Sequence, residues 1–260
     1  MPQFVNFLGT DLALTTRAEL LEAIDQATPE KPVRIATVNP EFMVEAGRNP
    51  RFKESLGQMT HCNIDGSGLY FMLKFWNRVR KQKLSLELYH GSDMVQELFD
   101  RYQEGQKKFF LVGGHPGLSQ KTATTLVARY PKIAIVGNND GGIINPQNIQ
   151  ISSDLLNQLT STNPDISLVA FGAPKQELWI QEVARNHSFA VMAGIGGSFG
   201  FFTEKKRAPQ WMRSLHLEWL FRGLTEKGHW RRLLTALIIF PLQSLWWILT
   251  SNSLRGKLSK

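Results

Sequence analysis

Cysteine is almost missing from this chain of 260 residues. Cys62 stands alone, so neither an intramolecular disulfide nor a thiolate zinc cage can form. No Asp-x-Asp, no pair of histidines four apart and no Walker A run occurs, so no built-in metal site and no P-loop are expected, and no cofactor is called for. The opening residues, MPQFVNFLGTDLALTTR, lack the basic stretch before an apolar core that marks a secretory signal, so the bulk of the chain is expected in the cytosol. Repeats and low-complexity runs are absent too. With 42% hydrophobic and 20% charged residues, the composition excludes disordered and fibrous classes.

Charge of one sign is confined to the end of the chain. Residues 1–203 hold 19 basic and 19 acidic side chains, whereas 204–260 hold 11 and 3, so the whole net charge of +8 lies in the last 57 residues. The same tail carries 22 residues without a formal charge, 233–254, flanked by Lys227, Arg231, Arg232 and by Arg255, Lys257, Lys260. Basic residues around an apolar, tryptophan-bearing stretch point to a membrane surface rather than to nucleic acid. From Leu233 to Leu249 only Thr235, Gln243 and Ser244 are polar, but Pro241 interrupts the run and both flanks are basic. A monotopic or re-entrant insertion from the cytoplasmic face is therefore expected over a full span.

Short β-branched runs alternate with helix-length segments: VRIATV (33–38), QMTHCNI (58–64), KFFLV (108–112), KIAIV (132–136), ISLVAF (166–171) and FAVMAG (189–194). This alternation predicts a Rossmann-like, doubly wound α/β domain with a mainly parallel sheet over residues 1–203, followed by a helical membrane-binding appendage over 204–260. Helix starts are marked by a Thr16/Glu19 capping box, by Asn39 ahead of Pro40, and by Pro174 at the first helical position.

Ligands of such sheets bind beyond the strand carboxyl ends, where glycines let backbone approach phosphate. Gly66, Gly114, Gly172 and Gly196 fall there, with Lys175 and Gln176 at a helix N-terminus suited to a diphosphate. Asp65 directly follows a strand and can act as a general base or cap the next helix. Thr37 and Asn39 can bind a sugar or phosphate, although capping accounts for Asn39 by itself. A basic cluster, KFWNRVRKQK (74–83), reads either as a solvated face or as a contact for a phosphate-bearing partner.

The segments TVNPEF (37–42), DGSG (65–68), GSDM (91–94), FLVGGHPG (110–117), FGAPKQELWI (171–180), AGIGGSF (193–199) and KRAPQWM with LEWLFR (206–222) resemble, in order, the WecG/TagA/CpsF glycosyltransferase family. The resemblance implies an inverting, metal-independent transferase that moves a sugar from a UDP-sugar donor to an undecaprenyl-diphosphate-linked sugar acceptor in bacterial surface-polysaccharide synthesis. It implies that Asp65 is the base, that Thr37 and Asn39 line the sugar pocket, and that Gln176 contacts the donor. It also implies that Arg207, Arg222, Arg231 and Arg232 complete the site over a diphosphate. An Arg-x-Thr-Gly-x-Asp pattern of the family reads Leu88-Tyr89-His90-Gly91-Ser92-Asp93 here, and its G-x-H-x-G-Y-F stretch reads GNNDGGI (137–143). Lys74, Arg78 or Arg80 is the expected substitute for the arginine that Leu88 replaces. A catalytically silent member that binds lipid-linked sugar or scaffolds other transferases is the alternative, and a homo-oligomer is left open.

Overall fold

A computed structural model describes residues 1–204, Pro209, Met212, Phe221 and 230–251. Arg207 and Arg222 lie outside the described residues, and of Arg231 only the backbone is described. The chain opens with a hairpin, β1 (Gln3–Phe7) and β2 (Thr10–Leu14), to which the sequence reading assigned no strand. Its two-residue turn, Leu8-Gly9, has φ of 51° and 72°, the mirror-image geometry that matches strand twist. Leucine seldom takes that conformation, so the usual Asn-Gly signal is missing.

The other strands are β3 (Val33–Val38), β4 (His61–Ile64), β5 (Lys108–Gly113), β6 (Ala134–Asn139), β7 (Ile166–Ala170) and β8 (Val191–Gly194). Together the eight form one sheet, ordered β1-β2-β4-β3-β8-β7-β5-β6, in which only the β1/β2 pair is antiparallel. Parallel strands buried on both faces need apolar residues of both parities, and these have them. Ala36, Val38, Phe110, Val112 and Val169 point to one core, whereas Val33, Ile35, Phe109, Leu111, Ile166 and Leu168 point to the other.

The first core is covered by α2 (Pro40–Ala46), α3 (Pro50–Gly57), α4 (Ser67–Val79), α7 (Ser153–Thr162) and α8 (Lys175–Ala184). The second is covered by α1 (Arg17–Asp25), α5 (Gly91–Arg101), α6 (Leu118–Arg129) and the short α9 (Gly200–Thr203). The α1 capping box forms as expected, with Thr16 Oγ1 accepting from Glu19 N and the Glu19 carboxylate accepting from Thr16 N. Such caps stabilise a helix by about 1 kcal/mol. Pro174 differs from expectation: it is the N-cap of α8, preceded by a cis peptide, and the helix starts at Lys175. The strand expected at 132–136 is displaced to Ala134–Asn139.

The C-terminal apolar run is one continuous helix made of α10 (Trp230–Leu234), a π turn (Thr235–Ile239) and α11 (Phe240–Thr250). Pro241 does not interrupt it, because the widened turn just before accommodates a residue with no N–H to donate. One side is docked: Phe240, Ser244 and Ile248 are buried, and Trp247 meets Phe7 at 5.4 Å and Trp76 at 6.2 Å between ring centroids. Both ends are fastened. Arg232 Nε donates to the Glu41 carboxylate at 2.6 and 2.9 Å, and Arg80 Nη2 donates to Ile248 O at 2.9 Å and to Ser251 Oγ. The other side, with Leu237, Ile238, Leu242, Trp246 and Leu249, is exposed.

Candidate functional site

The carboxyl ends of β3, β4, β7 and β8 bring most of the expected site residues to one edge of the sheet. Asp65 follows β4, and its N–H donates to Val38 O at 2.7 Å, which ties it to the end of the neighbouring strand. It does not cap α4. Gly66 is the N-cap, with φ +115°, and no side chain satisfies that helix end. The Asp65 carboxylate instead lies 3.0 Å from His90 Nδ1, both side chains being half-buried. A carboxylate only accepts, so Nδ1 bears the hydrogen and the imidazole fixes the direction of Oδ1 while leaving Oδ2 for another partner.

His90 was passed over in the sequence, where six histidines are scattered and none pairs with another. It arrives through a short parallel bridge, Ile64 to Leu88, extended by Tyr89 N donating to Ile64 O at 3.0 Å. Buried Asn63 reinforces the junction by donating to Tyr89 O at 2.7 Å. The signal lay in the motif: His90 stands at the threonine position of the Arg-x-Thr-Gly-x-Asp pattern. Leu88 packs against the first core. The expected replacements for its lost arginine are not beside Asp65, because Lys74, Arg78 and Arg80 lie about two to four turns from the start of α4, roughly 10–20 Å away at 1.5 Å per residue. Arg80 is tied to the C-terminal helix.

Thr37 is buried, its hydroxyl donating to Gly194 O at 3.0 Å, and it is wedged against Gly91 at the start of α5. A methyl group at Gly91 would come within 3.0 Å of Thr37 Cγ2. Asn39 N-caps α2, its Oδ1 accepting from Glu41 N at 3.0 Å and Phe42 N at 3.2 Å, and Glu41 in turn holds Arg232. The start of the C-terminal helix is thereby set beside the β3–α2 junction that carries Thr37 and Asn39.

Gln176 is fully buried and holds two turns together. Its Oε1 accepts from Gly172 N at 3.1 Å and from Gly196 N at 2.9 Å, and its Nε2 donates to Glu177 Oε1 at 2.6 Å. Gly172 and Gly196 have φ of +74° and +56° with open space where a Cβ would stand, so the backbone there is bare and in the left-handed region. Beside them opens a cleft of about 580 Å³, lined in part by Gly114, Asp140, Phe171, Gly172, Lys175 and Gly196. Gly66 lies outside it, against Asn39 and Pro40. Glu177 is buried without a partner for Oε2, and loss of hydration pushes its carboxyl up to about 7. At the cleft mouth Glu204 pairs with His115 at 3.0 Å and Lys121 at 3.3 Å.

Gly196, Ser198 and Gly200 have the spacing of a hydrolase nucleophile elbow, which the sequence reading overlooked. Ser198 is buried, however, and its hydroxyl donates to Ile195 O at 2.7 Å, which closes the turn.

The molecule is thus an α/β protein whose polar groups gather at the open carboxyl edge of a parallel sheet, next to a cleft floored by bare backbone. It belongs to the glycosyl transferase WecG/TagA/CpsF family, whose profile matches residues 5–254. An N-acetylglucosaminyldiphosphoundecaprenol N-acetyl-beta-D-mannosaminyltransferase from Bacillus spizizenii (strain ATCC 23059 / NRRL B-14472 / W23) is 30% identical over 228 residues, 86% of this chain and 83% of that protein. Its namesake in Bacillus subtilis (strain 168) is 31% identical over 202 residues, 77% and 75% of the two chains. One from Staphylococcus aureus (strain MRSA252) is 29% identical over 233 residues, 88% and 86%.

Proposed function

We propose that this chain transfers a sugar from a UDP-sugar to an undecaprenyl-diphosphate-linked sugar, with inversion, without a metal, and with Asp65 as the base. The observation that carries this reading is the Asp65–His90 pair, half-buried and beside Thr37 at the strand edge that adjoins the cleft. In the displacement, Asp65 takes the acceptor hydroxyl proton as that oxygen bonds to the anomeric carbon, and the bond from that carbon to the UDP oxygen breaks on the opposite face. The departing diphosphate needs positive charge. Lys175 and the α8 N-terminus supply it from the cleft, and Arg207, Arg222, Arg231 and Arg232 supply it from the appendage. Gln176 acts here as a positioning residue, because its amide already holds both glycine turns.

The C-terminal helix supports peripheral attachment at the cytoplasmic face of the membrane, where a polyprenyl-linked acceptor resides. Its 19 apolar-rich residues, Arg232–Thr250, are long enough to cross a bilayer by length alone. Fastened to Glu41 at one end and Arg80 at the other, the helix lies along the domain and inserts sideways. The silent-member reading rests on Leu88, which leaves the family's arginine position apolar.

UDP binding tests the donor half of the proposal. Calorimetry on the intact chain in EDTA is expected to give saturable UDP binding that Gly196→Val removes, because a branched side chain at φ +56° would stand in the open space by the cleft. Absence of UDP binding by the unsubstituted chain would refute a UDP-linked donor.

A further inference from the structure

The basic cluster of residues 74–83 has no place in the chemistry at Asp65, and its helix carries an exposed apolar row. Phe71, Phe75 and Val79 are exposed at spacings of four. The row continues the face of Gly68, three residues before Phe71, and a Cβ on Gly68 would stand 3.8 Å from Ala236 O of the C-terminal helix. Twelve residues later in each helix, Arg80 meets Ile248. The two helices therefore run side by side in the same direction, and the α4 row borders the exposed side of the C-terminal helix.

On the far flank of the row stand Lys74, Arg78 and Lys81, bordering a surface depression of about 410 Å³ shared with Phe75 and Asn77. No acidic residue occurs between Gly66 and Leu86. Aromatic residues edged by cations and free of acids match an anionic lipid surface: rings enter the acyl boundary while lysines and arginines remain among the phosphates.

We propose that α4 is a second membrane-inserting element, its Phe71, Phe75 and Val79 row forming with the exposed face of the C-terminal helix one composite surface for an anionic phospholipid bilayer. This rests on the peripheral attachment proposed above and extends it to a part of the chain outside the appendage. Two parallel contacts fix the roll of the domain, which one helix alone would leave free about its own axis. Since α4 starts at Ser67, two residues after Asp65, the base is held at a set height over the lipid.

The chain carries its own labelling control. Cys62 is buried and its thiol is pushed up to about 12, so it stays unreactive. A polarity-sensitive fluorophore on Phe75→Cys is expected to shift to the blue with vesicles of phosphatidylcholine and phosphatidylglycerol, and to be quenched by a lipid-borne quencher. The same probe on Val127→Cys, exposed on α6, is expected to report water throughout. Phe71→Ser with Phe75→Ser is expected to weaken vesicle sedimentation roughly tenfold or more, as loss of two inserted rings implies. Lys74→Glu with Arg78→Glu is expected to abolish the preference for phosphatidylglycerol. A Phe75→Cys probe that stays in water on vesicles which sediment the protein overturns the α4 contact alone. Failure of the unsubstituted chain to sediment overturns the attachment beneath it. A blue shift that grows with protein concentration without vesicles assigns the row to a second copy and overturns the lipid assignment.

Discussion

His90 Nδ1 lies 3.0 Å from Asp65 Oδ1, across twenty-five residues of sequence. The pair is built by backbone: β4 delivers Asp65, and a two-residue extension of the sheet at Leu88 and Tyr89 delivers His90. If the imidazole orients the base, its removal lowers turnover and leaves substrate binding intact. His90→Phe is expected to cut kcat by roughly tenfold to a hundredfold with little change in KM. His90→Gln, which can still donate, is expected to recover part of the loss, and a steady-state comparison of the two variants is the check. Equal loss in both, accompanied by lower thermal stability, would mean that His90 is structural.

Gln176 occupies the middle of a different construction. Its carbonyl serves two glycine N–H groups and its amide serves Glu177, so Gln176→Leu strands three groups in one step. Destabilisation of about 2–4 kcal/mol is expected, measured by urea unfolding, together with loss of UDP binding as the Gly172 and Gly196 turns separate.

Glu177 makes stability depend on pH with a definite sign. Its carboxyl is raised from the ordinary 4.5 to about 7 by burial. Below about pH 4.5 the folded and unfolded states both hold the proton. Between there and about pH 7 the unfolded chain releases it first, so stability falls as pH rises and levels off above. The full change is about 3 kcal/mol at 1.36 kcal/mol per unit. Glu177→Gln keeps an acceptor for Gln176 without the charge, and is expected to remove this slope and raise the melting temperature at alkaline pH but not at acid pH. Melting curves across that range decide it.

Arg232 Nε reaches both oxygens of Glu41 in a half-exposed pair, so their coupling is worth at most about 1 kcal/mol. Arg232→Ala is therefore expected to move the melting temperature little. If Arg232 also serves the diphosphate, the same variant lowers kcat/KM for the donor by tenfold or more. A stability loss with unchanged kinetics would limit Arg232 to fastening the helix.

Six of the eight strands were legible because their short apolar runs are bounded by turn residues and alternate with helix-length segments, and because parallel strands buried on two faces need no alternation. The first hairpin was not. Its turn uses Leu8 in a conformation that leucine rarely adopts, and Phe4, beside it, is exposed. Strand order was equally hidden, since β8 entering between β3 and β7 is decided by long-range packing of the two cores. In the site, positions could be read but partnerships could not. Asp65 stood out after a strand, yet its partner His90 depended on a bridge too short to leave a pattern. Gln176 was placed at the right helix end, whereas its burial beneath the turns came only with the fold. The tail's apolar run was plain, but its docking on Phe7 and Trp76 required the fold as well.

Acceptor-dependent UDP release tests the central claim most directly. A panel of UDP-sugars is offered with a short-chain polyprenyl-diphosphate-linked sugar in detergent and EDTA, and the unsubstituted chain is compared with Asp65→Asn. The account predicts turnover with at least one donor, undiminished by EDTA and lowered by roughly a hundredfold to ten-thousandfold in Asp65→Asn. Undiminished turnover in Asp65→Asn would contradict the role given to that carboxylate. No turnover with any donor, alongside measurable binding of the lipid-linked acceptor, would favour the silent member.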